Sequence, residues 1–253
     1  MLPKKSDWYK YGWSLDIKNQ SWVENTTMEV DFIIKTLNLK GNERILDLAC
    51  GFGRHSLLFA ERGFSVVGVD ITKDYILDAI KSAKEKSLNN VEFIHADIRE
   101  LTFENSFDVV LNLADGAIGY LENDEENLKI FSVVSRALKD GGKHFIDVCN
   151  SEYAELHFPA KYWDSGENAL SISEFDWNTT TKRMLFGSYD IPYGKTLEKF
   201  NIPNGDTIRL YSKIELESIY NQYGMQIVDT FSNYQGKKSS NRDLQLMVYA
   251  EKL

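Results

Sequence analysis

Cysteine is nearly absent: Cys50 and Cys149 are the only two in 253 residues. Two thiols make neither a disulfide framework nor a cysteine cluster for a metal, and such a chain suits a reducing compartment. A cytoplasmic location is therefore expected. Cys, His and acidic residues nowhere fall at metal-ligand spacing, so no metal is expected. No stretch approaches the ~18 consecutive apolar residues of a membrane span. The start, Met1-Leu2-Pro3-Lys4-Lys5, leads into polar and aromatic residues and not into an apolar signal core. Long basic runs are missing as well, and the formal net charge is -9. An acidic chain repels phosphate backbones, so neither nucleic acid nor a membrane is an expected partner. Internal repeats and low-complexity segments are lacking, and nothing in the sequence speaks to the oligomeric state.

Aromatics are what the chain has in quantity, with 13 Tyr, 14 Phe and 5 Trp. Trp8, Tyr9, Tyr11, Trp13 and Trp22 crowd an N-terminal segment without clear periodicity. Such rings are costly to leave in water, so the segment is expected to fold back onto the body of the protein. Thr26 and Glu29 then have capping-box spacing, and Val30, Ile33, Ile34 and Leu37 fall on one helical face. Residues 1–40 read as a cap segment and helix.

From Ile45 onward the pattern alternates. Strands are expected at 45–49, 66–70, 91–96, 107–113 and 145–148. Helices are expected over 54–62, from a Thr72 cap through Ala83, and from an Asn123–Glu126 cap through Leu138, with Gly141-Gly142 as its stop. Strands apolar throughout and separated by helices imply a parallel sheet buried on both faces. After Asn150 the rhythm changes. Residues 170–175 and 183–191 read as strands, Asn178-Thr179-Thr180 and Pro203-Asn204-Gly205 as turns, and no helical period appears before Ser212. Residues 151–211 thus read as a small antiparallel β insertion. Ser212 and Glu215 cap a helix carrying Leu216, Ile219, Tyr220 and Tyr223, and strands near 226–231 and 244–250 follow. Residues 41–150 and 212–253 form the core in this reading.

The most informative segment is Ile45-Leu46-Asp47-Leu48-Ala49-Cys50-Gly51-Phe52-Gly53-Arg54-His55-Ser56, in which strand, glycine turn and helix follow in order. Gly51 and Gly53 permit a tight turn and a close approach of ligand to backbone. The helix N-terminus beyond presents free N–H groups. A dinucleotide would set its pyrophosphate there, and Gly51-x-Gly53-x-x-Ser56 loosely matches that fingerprint. Asp47 argues against it, because a carboxylate just before the turn repels a pyrophosphate and suits a cationic ligand. Asp70, closing the second strand, would accept from ribose hydroxyls. Asp97, in Ala96-Asp97-Ile98, would accept from an exocyclic adenine amine, with Ile98 against the ring. Each acid alone also reads as a strand-end cap or turn former. Together they line the sheet edge where open α/β sheets bind ligands.

The segment 46–56, with 66–70 and 96–97, resembles the class I S-adenosyl-L-methionine (SAM)-dependent methyltransferase family over roughly residues 26–150. Within it, the chain looks most like small-molecule methyltransferases with a β insertion after strand five, such as amino-sugar N-methyltransferases. The resemblance implies an α/β fold: a Rossmann-like, seven-stranded, mostly parallel sheet with helices on both faces and the last strand antiparallel, plus a small antiparallel β insertion. It implies SAM as cofactor, S-adenosyl-L-homocysteine (SAH) as product, and a nitrogen or oxygen of a small molecule as methyl acceptor. By the same resemblance Asp47, Ala49 and the Gly51–Gly53 turn hold the methionine part, where the family more often has glycine in place of Ala49. Arg54 would approach the methionine carboxylate. Asp70 would hold the ribose and Asp97 the adenine, with Ile71 and Ile98 among the cofactor contacts. Leu113 and Ala114 would offer backbone contacts, and Trp13 and Trp22 would fold over the cofactor, where a ring near the sulfonium makes a cation–π contact.

The loop after the fourth strand lacks the Asn-Pro-Pro-Tyr type of sequence found in enzymes that methylate base amines of nucleic acids. Its polar groups, Asp115 and Tyr120, are the expected catalytic residues, orienting the acceptor or taking its proton. Transfer from a sulfonium depends mainly on alignment and electrostatics. The insertion is expected to cover the acceptor site, with Trp163, Phe175, Trp177, Phe186 and Tyr189 lining it or forming its own core. Two other readings stay open: a non-catalytic SAM-binding protein, and a nicotinamide-dependent dehydrogenase built on the same strand–turn–helix.

Overall fold

The computed structural model describes every residue except 167, 168, 197, 198, 200 and 201. The chain opens with a two-residue strand, β1 (Leu2–Pro3), and three short 3-10 turns at Trp8–Lys10, Leu15–Asn19 and Ser21–Asn25. Trp8 and Tyr9 are buried, and the segment is stitched to the body by side chains. Trp8 Nε1 donates to the Thr207 carbonyl at 3.3 Å, Tyr9 OH to Glu122 at 2.8 Å, and Tyr75 OH to the Ser14 carbonyl at 2.9 Å.

Helix α1 (Thr26–Thr36) buries Val30 and Ile33. Its capping box does not form. The Asn25 cap position makes no side-chain bond, Thr26 Oγ1 donates to the Val23 carbonyl, and Glu29 turns away to Arg54 and His55. A buried ion-pair partner outcompetes a terminal N–H that water can satisfy.

The alternation then proceeds through β2 (Arg44–Leu48), α2 (Arg54–Glu61), β3 (Ser65–Asp70), α3 (Lys73–Glu85), β4 (Val91–His95), β5 (Phe107–Asn112), α4 (Asp124–Ala137) and β6 (Leu138–Cys149). Beyond them lie α5 (Ser151–His157), β7 (Ala160–Ser165), β8 (Ala169–Asn178), β9 (Arg183–Pro192), β10 (Asn204–Arg209), α6 (Lys213–Gln222), β11 (Met225–Phe231) and β12 (Gln245–Lys252).

Seven strands form one sheet in the order β11-β12-β6-β5-β2-β3-β4. Strands β2 to β6 pair in parallel, and β12 runs antiparallel to both β6 and β11. Side chains alternate across a strand, so each strand feeds two cores. Leu46, Val67, Val110 and Ile146 pack with α4 and α6 on one face, whereas Ile45, Val66, Val109 and Phe145 pack with α1 and α2 on the other. This is the sheet expected from the sequence, and double burial is why its strands lack polar alternation.

The second sheet has the order β1-β10-β9-β8-β7. Three expectations are corrected here. Pro203-Asn204-Gly205 is no turn: Asn204 begins β10, which pairs antiparallel with β9 and parallel with β1. A partner strand some two hundred residues away overrides the local turn composition. Helix α5 occupies residues read as non-helical, since seven residues are too few to display a period. Helix α4 ends at Ala137, and Gly141-Gly142 lie inside β6. No helix among the described residues is long and apolar enough to cross a membrane.

At α6 the capping box forms in full, Ser212 Oγ accepting from Glu215 N at 3.1 Å and Glu215 accepting from Ser212 N at 2.9 Å. Ser212→Ala is expected to cost about 1 kcal/mol and lower the melting temperature by about 2–4 °C. A calorimetric scan checks this.

Candidate functional site

The turn after β2 alternates into left-handed backbone at Ala49 (φ 56°), Gly51 (φ 58°) and Gly53 (φ 78°). At Ala49 this costs about 1–2 kcal/mol, which a glycine would avoid. Gly53 is fixed sterically as well, because a Cβ there would lie 2.7 Å from the Phe93 ring. Asp70 clamps the turn: its carboxylate accepts from Gly51 N at 2.9 Å and from Thr72 N at 2.7 Å, tying the exits of β2 and β3 together. Asp47 is almost fully buried and accepts from Ser56 Oγ at 2.6 Å. Burial pushes its carboxyl up to about 7, against the pull of Ser56 and Arg54 and with the Asp70 charge adding to the rise.

Arg54, at the start of α2, donates to Thr26 Oγ1 at 2.8 Å and pairs with Glu29, and its guanidinium lies 5.0 Å from the Trp22 ring centroid. Glu29 also meets His55 Nε2 at 2.6 Å. Burial opposes charge on Glu29, but the His55 hydrogen bond and the Arg54 charge hold its carboxyl below the usual range. Burial lowers His55 to about 4, so its imidazole is neutral and Nε2–H is the donor.

After β5 the chain enters an unusual loop. Ala114, Asp115, Gly116 and Ala117 are left-handed in succession, at φ 52°, 68°, 51° and 64°. Strain of this kind persists only where neighbours over-determine it. Here Asp115 N donates to the Asp147 carbonyl at 2.7 Å and Asn112 Nδ2 to the Gly116 carbonyl at 2.7 Å. Asn112 therefore turns its oxygen to His144 Nε2 at 3.0 Å, and His144 Nδ1 accepts from Tyr220 OH at 2.9 Å. Burial lowers His144 to about 3, consistent with this neutral Nε2–H tautomer. A polar chain from α6 through β6 and β5 thus anchors the strained loop.

The loop presents Asp115 to Tyr120, whose hydroxyl donates to the carboxylate at 3.0 Å. Burial raises the pKa of both, and in Tyr120 the Asp115 charge raises it further, so the tyrosine stays a phenol. Trp13 stacks on Tyr120 with centroids 6.1 Å apart, and Trp8 lies 5.1 Å from the same ring.

A cavity of about 780 Å³ opens along this edge of the sheet. Asp47, Ala49, Gly51, Arg54, Asp70 and Ile71 line it from β2, β3 and the segments that follow them, and Leu113, Ala114, Asp115 and Tyr120 from the loop after β5. Trp13 and Trp22 close it from the N-terminal segment, and Phe175, Met184, Phe186 and Ile208 from the second sheet. Gly53, at the end of the turn, does not line the cavity. Asp97 and Ile98 do not line the cavity. Asp97 caps the short turn Ile98–Glu100, accepting from Arg99 N at 2.9 Å and pairing with the Arg99 guanidinium, and Ile98 is buried in the core. Trp163 is 73% exposed and Trp177 donates to Glu155, so neither reaches the cavity.

Asp147, Tyr234 and Glu29 line it without having been singled out as site residues. Asp147 carried a legible signal, an acid at or near the end of an apolar strand like Asp47 and Asp70. Tyr234 carried none. It comes from the loop between β11 and β12 and donates to Asp147 Oδ2 at 2.6 Å across 87 residues of sequence.

Residues 39–194 match the profile of a family described as a methyltransferase domain. The YqeM protein of Bacillus subtilis (strain 168) is 27% identical over 212 residues, 83% of this chain and 84% of that one. The glycine/sarcosine N-methyltransferase of Aphanothece halophytica is 29% identical over 160 residues, 61% of this chain and 60% of that one. Among solved structures, an S-adenosylmethionine-dependent methyltransferase from Clostridium acetobutylicum ATCC 824 has a TM-score of 0.72 at 19% identity, covering 90% of this chain and 92% of that one. At that identity the likeness speaks to the fold, and its Rossmann-like sheet agrees with the strand order above. The dehydrogenase reading falls, because the matching profile spans more than half of the chain. The chain belongs to the methyltransferase-domain family.

Proposed function

We propose that this methyltransferase transfers a methyl group from SAM to a nitrogen or oxygen of a small molecule. The observation that carries the reading is one cavity lined both by the glycine turn with Asp47 and Asp70 and by Asp115 with Tyr120. Its volume falls within the ~300–1,000 Å³ usual for small-ligand sites. The donor set fits SAM: buried carboxylates for cationic groups, a guanidinium for the methionine carboxylate, and Asp70 for ribose hydroxyls. SAM supplies an electrophilic methyl on a sulfonium, and the acceptor lone pair forms the new bond as the carbon–sulfur pair returns to sulfur.

The protein's part is binding, alignment and exclusion of water. Residues 41–150 and 212–253 act as the cofactor-binding core, 1–40 as the cap and 151–211 as the cover over the acceptor. Asp115 sits where it would orient an acceptor or take its proton, and its raised pKa suits that task. The carboxylates Glu29, Asp47, Asp70, Asp115 and Asp147 outweigh Arg54 among the lining groups, a balance that repels phosphate and disfavours nucleic acid. The relative named for glycine and sarcosine supports a small acceptor.

Incubation with methyl-labelled SAM and a panel of small amines and alcohols tests this reading. Label in the small-molecule fraction is expected, and label confined to added RNA or protein contradicts it. A pH dependence also follows. A cation prefers ionised Asp47, so protons compete with SAM below the carboxyl's value of about 7. SAM affinity is expected to fall as the pH goes from 8 to 6, and Asp47→Asn to flatten that slope, both readable by titration calorimetry.

A further inference from the structure

Asp147 lies two residues before the end of β6, is 6% exposed and lines the cavity. Tyr234 OH satisfies Oδ2 at 2.6 Å, but Oδ1 is buried with no hydrogen-bond partner among the described residues. A buried, half-satisfied carboxylate is costly, so such an atom implies a donor that arrives from elsewhere. Asp115 stands beside it, its backbone N–H bonded to the Asp147 carbonyl at 2.7 Å and its carboxylate at the same cavity. The Arg54 charge reaches Asp147, but Arg54 is already paired with Glu29. Among the described residues neither carboxylate forms an ion pair, and both line the same cavity. Asp47 lies apart, since β5 separates β2 from β6 and places their axes roughly 10 Å from each other.

We propose that the Asp115–Asp147 end of the cavity recognises a protonated amine, so that the methyl acceptor is a small basic amine. This rests on the reading of the chain as a small-molecule methyltransferase. An ammonium N–H would satisfy Asp147 Oδ1 and its charge would balance the pair, while a neutral hydroxyl would do only the first. Burial raises the carboxyl of Asp147 to about 7, and the Asp115 and Glu29 charges add to the effect. The site thus takes up the ammonium, and the Asp147 carboxylate accepts one N–H proton, which frees the nitrogen lone pair to attack the methyl carbon as the carbon–sulfur pair returns to sulfur.

The test is calorimetric titration at pH 8 of the full chain saturated with SAH, using matched pairs: benzylamine against benzyl alcohol, and cyclohexylamine against cyclohexanol. Each amine is expected to bind at least ~10-fold more tightly than its alcohol, because both donate a hydrogen bond and only the ammonium adds a positive charge beside the two carboxylates. Asp147→Asn should erase that preference while SAH affinity and melting temperature stay close to wild type. Asp115→Asn is the second variant, expected to weaken the preference if Asp147→Asn does not fold. Equal binding of amine and alcohol, or binding of neither to the SAH complex, overturns the proposal. So does an Asp147→Asn protein that loses SAH yet keeps the amine preference, which would assign the carboxylate to the cofactor. Failure of the wild-type chain to bind SAH at all would instead overturn the methyltransferase reading on which this one stands.

Discussion

Asp70→Ala is expected to weaken SAM binding by at least ~100-fold in titration calorimetry, about 2.7 kcal/mol. Two losses combine. The carboxylate would no longer be there for the ribose hydroxyls, and hydrogen bonds to a charged group are worth about 1.5–3 kcal/mol each. The same carboxylate accepts from Gly51 N and Thr72 N, so its removal leaves two backbone donors unmatched and frees the turn that approaches the ligand. Asp70→Asn, which keeps one acceptor oxygen, should fall between the two. A circular-dichroism melt separates lost binding from lost folding. Wild-type affinity in a folded Asp70→Ala protein would remove the cofactor from this end of the cavity.

Gly116→Ala should produce the opposite pattern: SAM affinity within about threefold of wild type and methyl transfer reduced by ~100-fold. A Cβ at Gly116 would lie 2.6 Å from the backbone of Asn112, so the loop must move. The left-handed run that presents Asp115 would relax with it. Displacement of a positioning group by about 1 Å is enough for a ~100-fold rate loss. Gly51 and Asp70 belong to other loops, and of the expected cofactor contacts only the backbone ones of Leu113 and Ala114 lie in the displaced loop, so binding falls far less than transfer. The check is a single-turnover rate beside a SAM titration on the same preparation. An unchanged rate would mean that the loop geometry does not set the reaction.

The fold was legible because its signals are local. Apolar strands, glycine-terminated helices and the cap at Asn123 lie within a few residues of each other, and Asn123 does accept from Glu126 N as its spacing implies. The second sheet was half legible. Strands β8 and β9 show themselves by composition, but β10 hides behind Pro203-Asn204-Gly205 because its partners include β1 at the other end of the chain. The glycine turn and its two acids were readable in the same local way. Glu29 was not, since an acid three residues past a threonine reads equally as a capping box and as a buried partner of Arg54. Asp97 illustrates the converse: strand-end position alone does not say whether a carboxylate faces a cavity or an arginine, and Arg99 lies only two residues away. Tyr234 and the anchor running from Tyr220 through His144 to Asn112 join distant segments and leave no local trace.

The most direct test is titration of the purified chain with SAM, SAH and NAD in parallel. The account predicts micromolar binding of SAM and SAH and none of NAD. Binding of NAD alone would contradict it and would mean that the Asp47–Gly53 turn accepts a pyrophosphate after all.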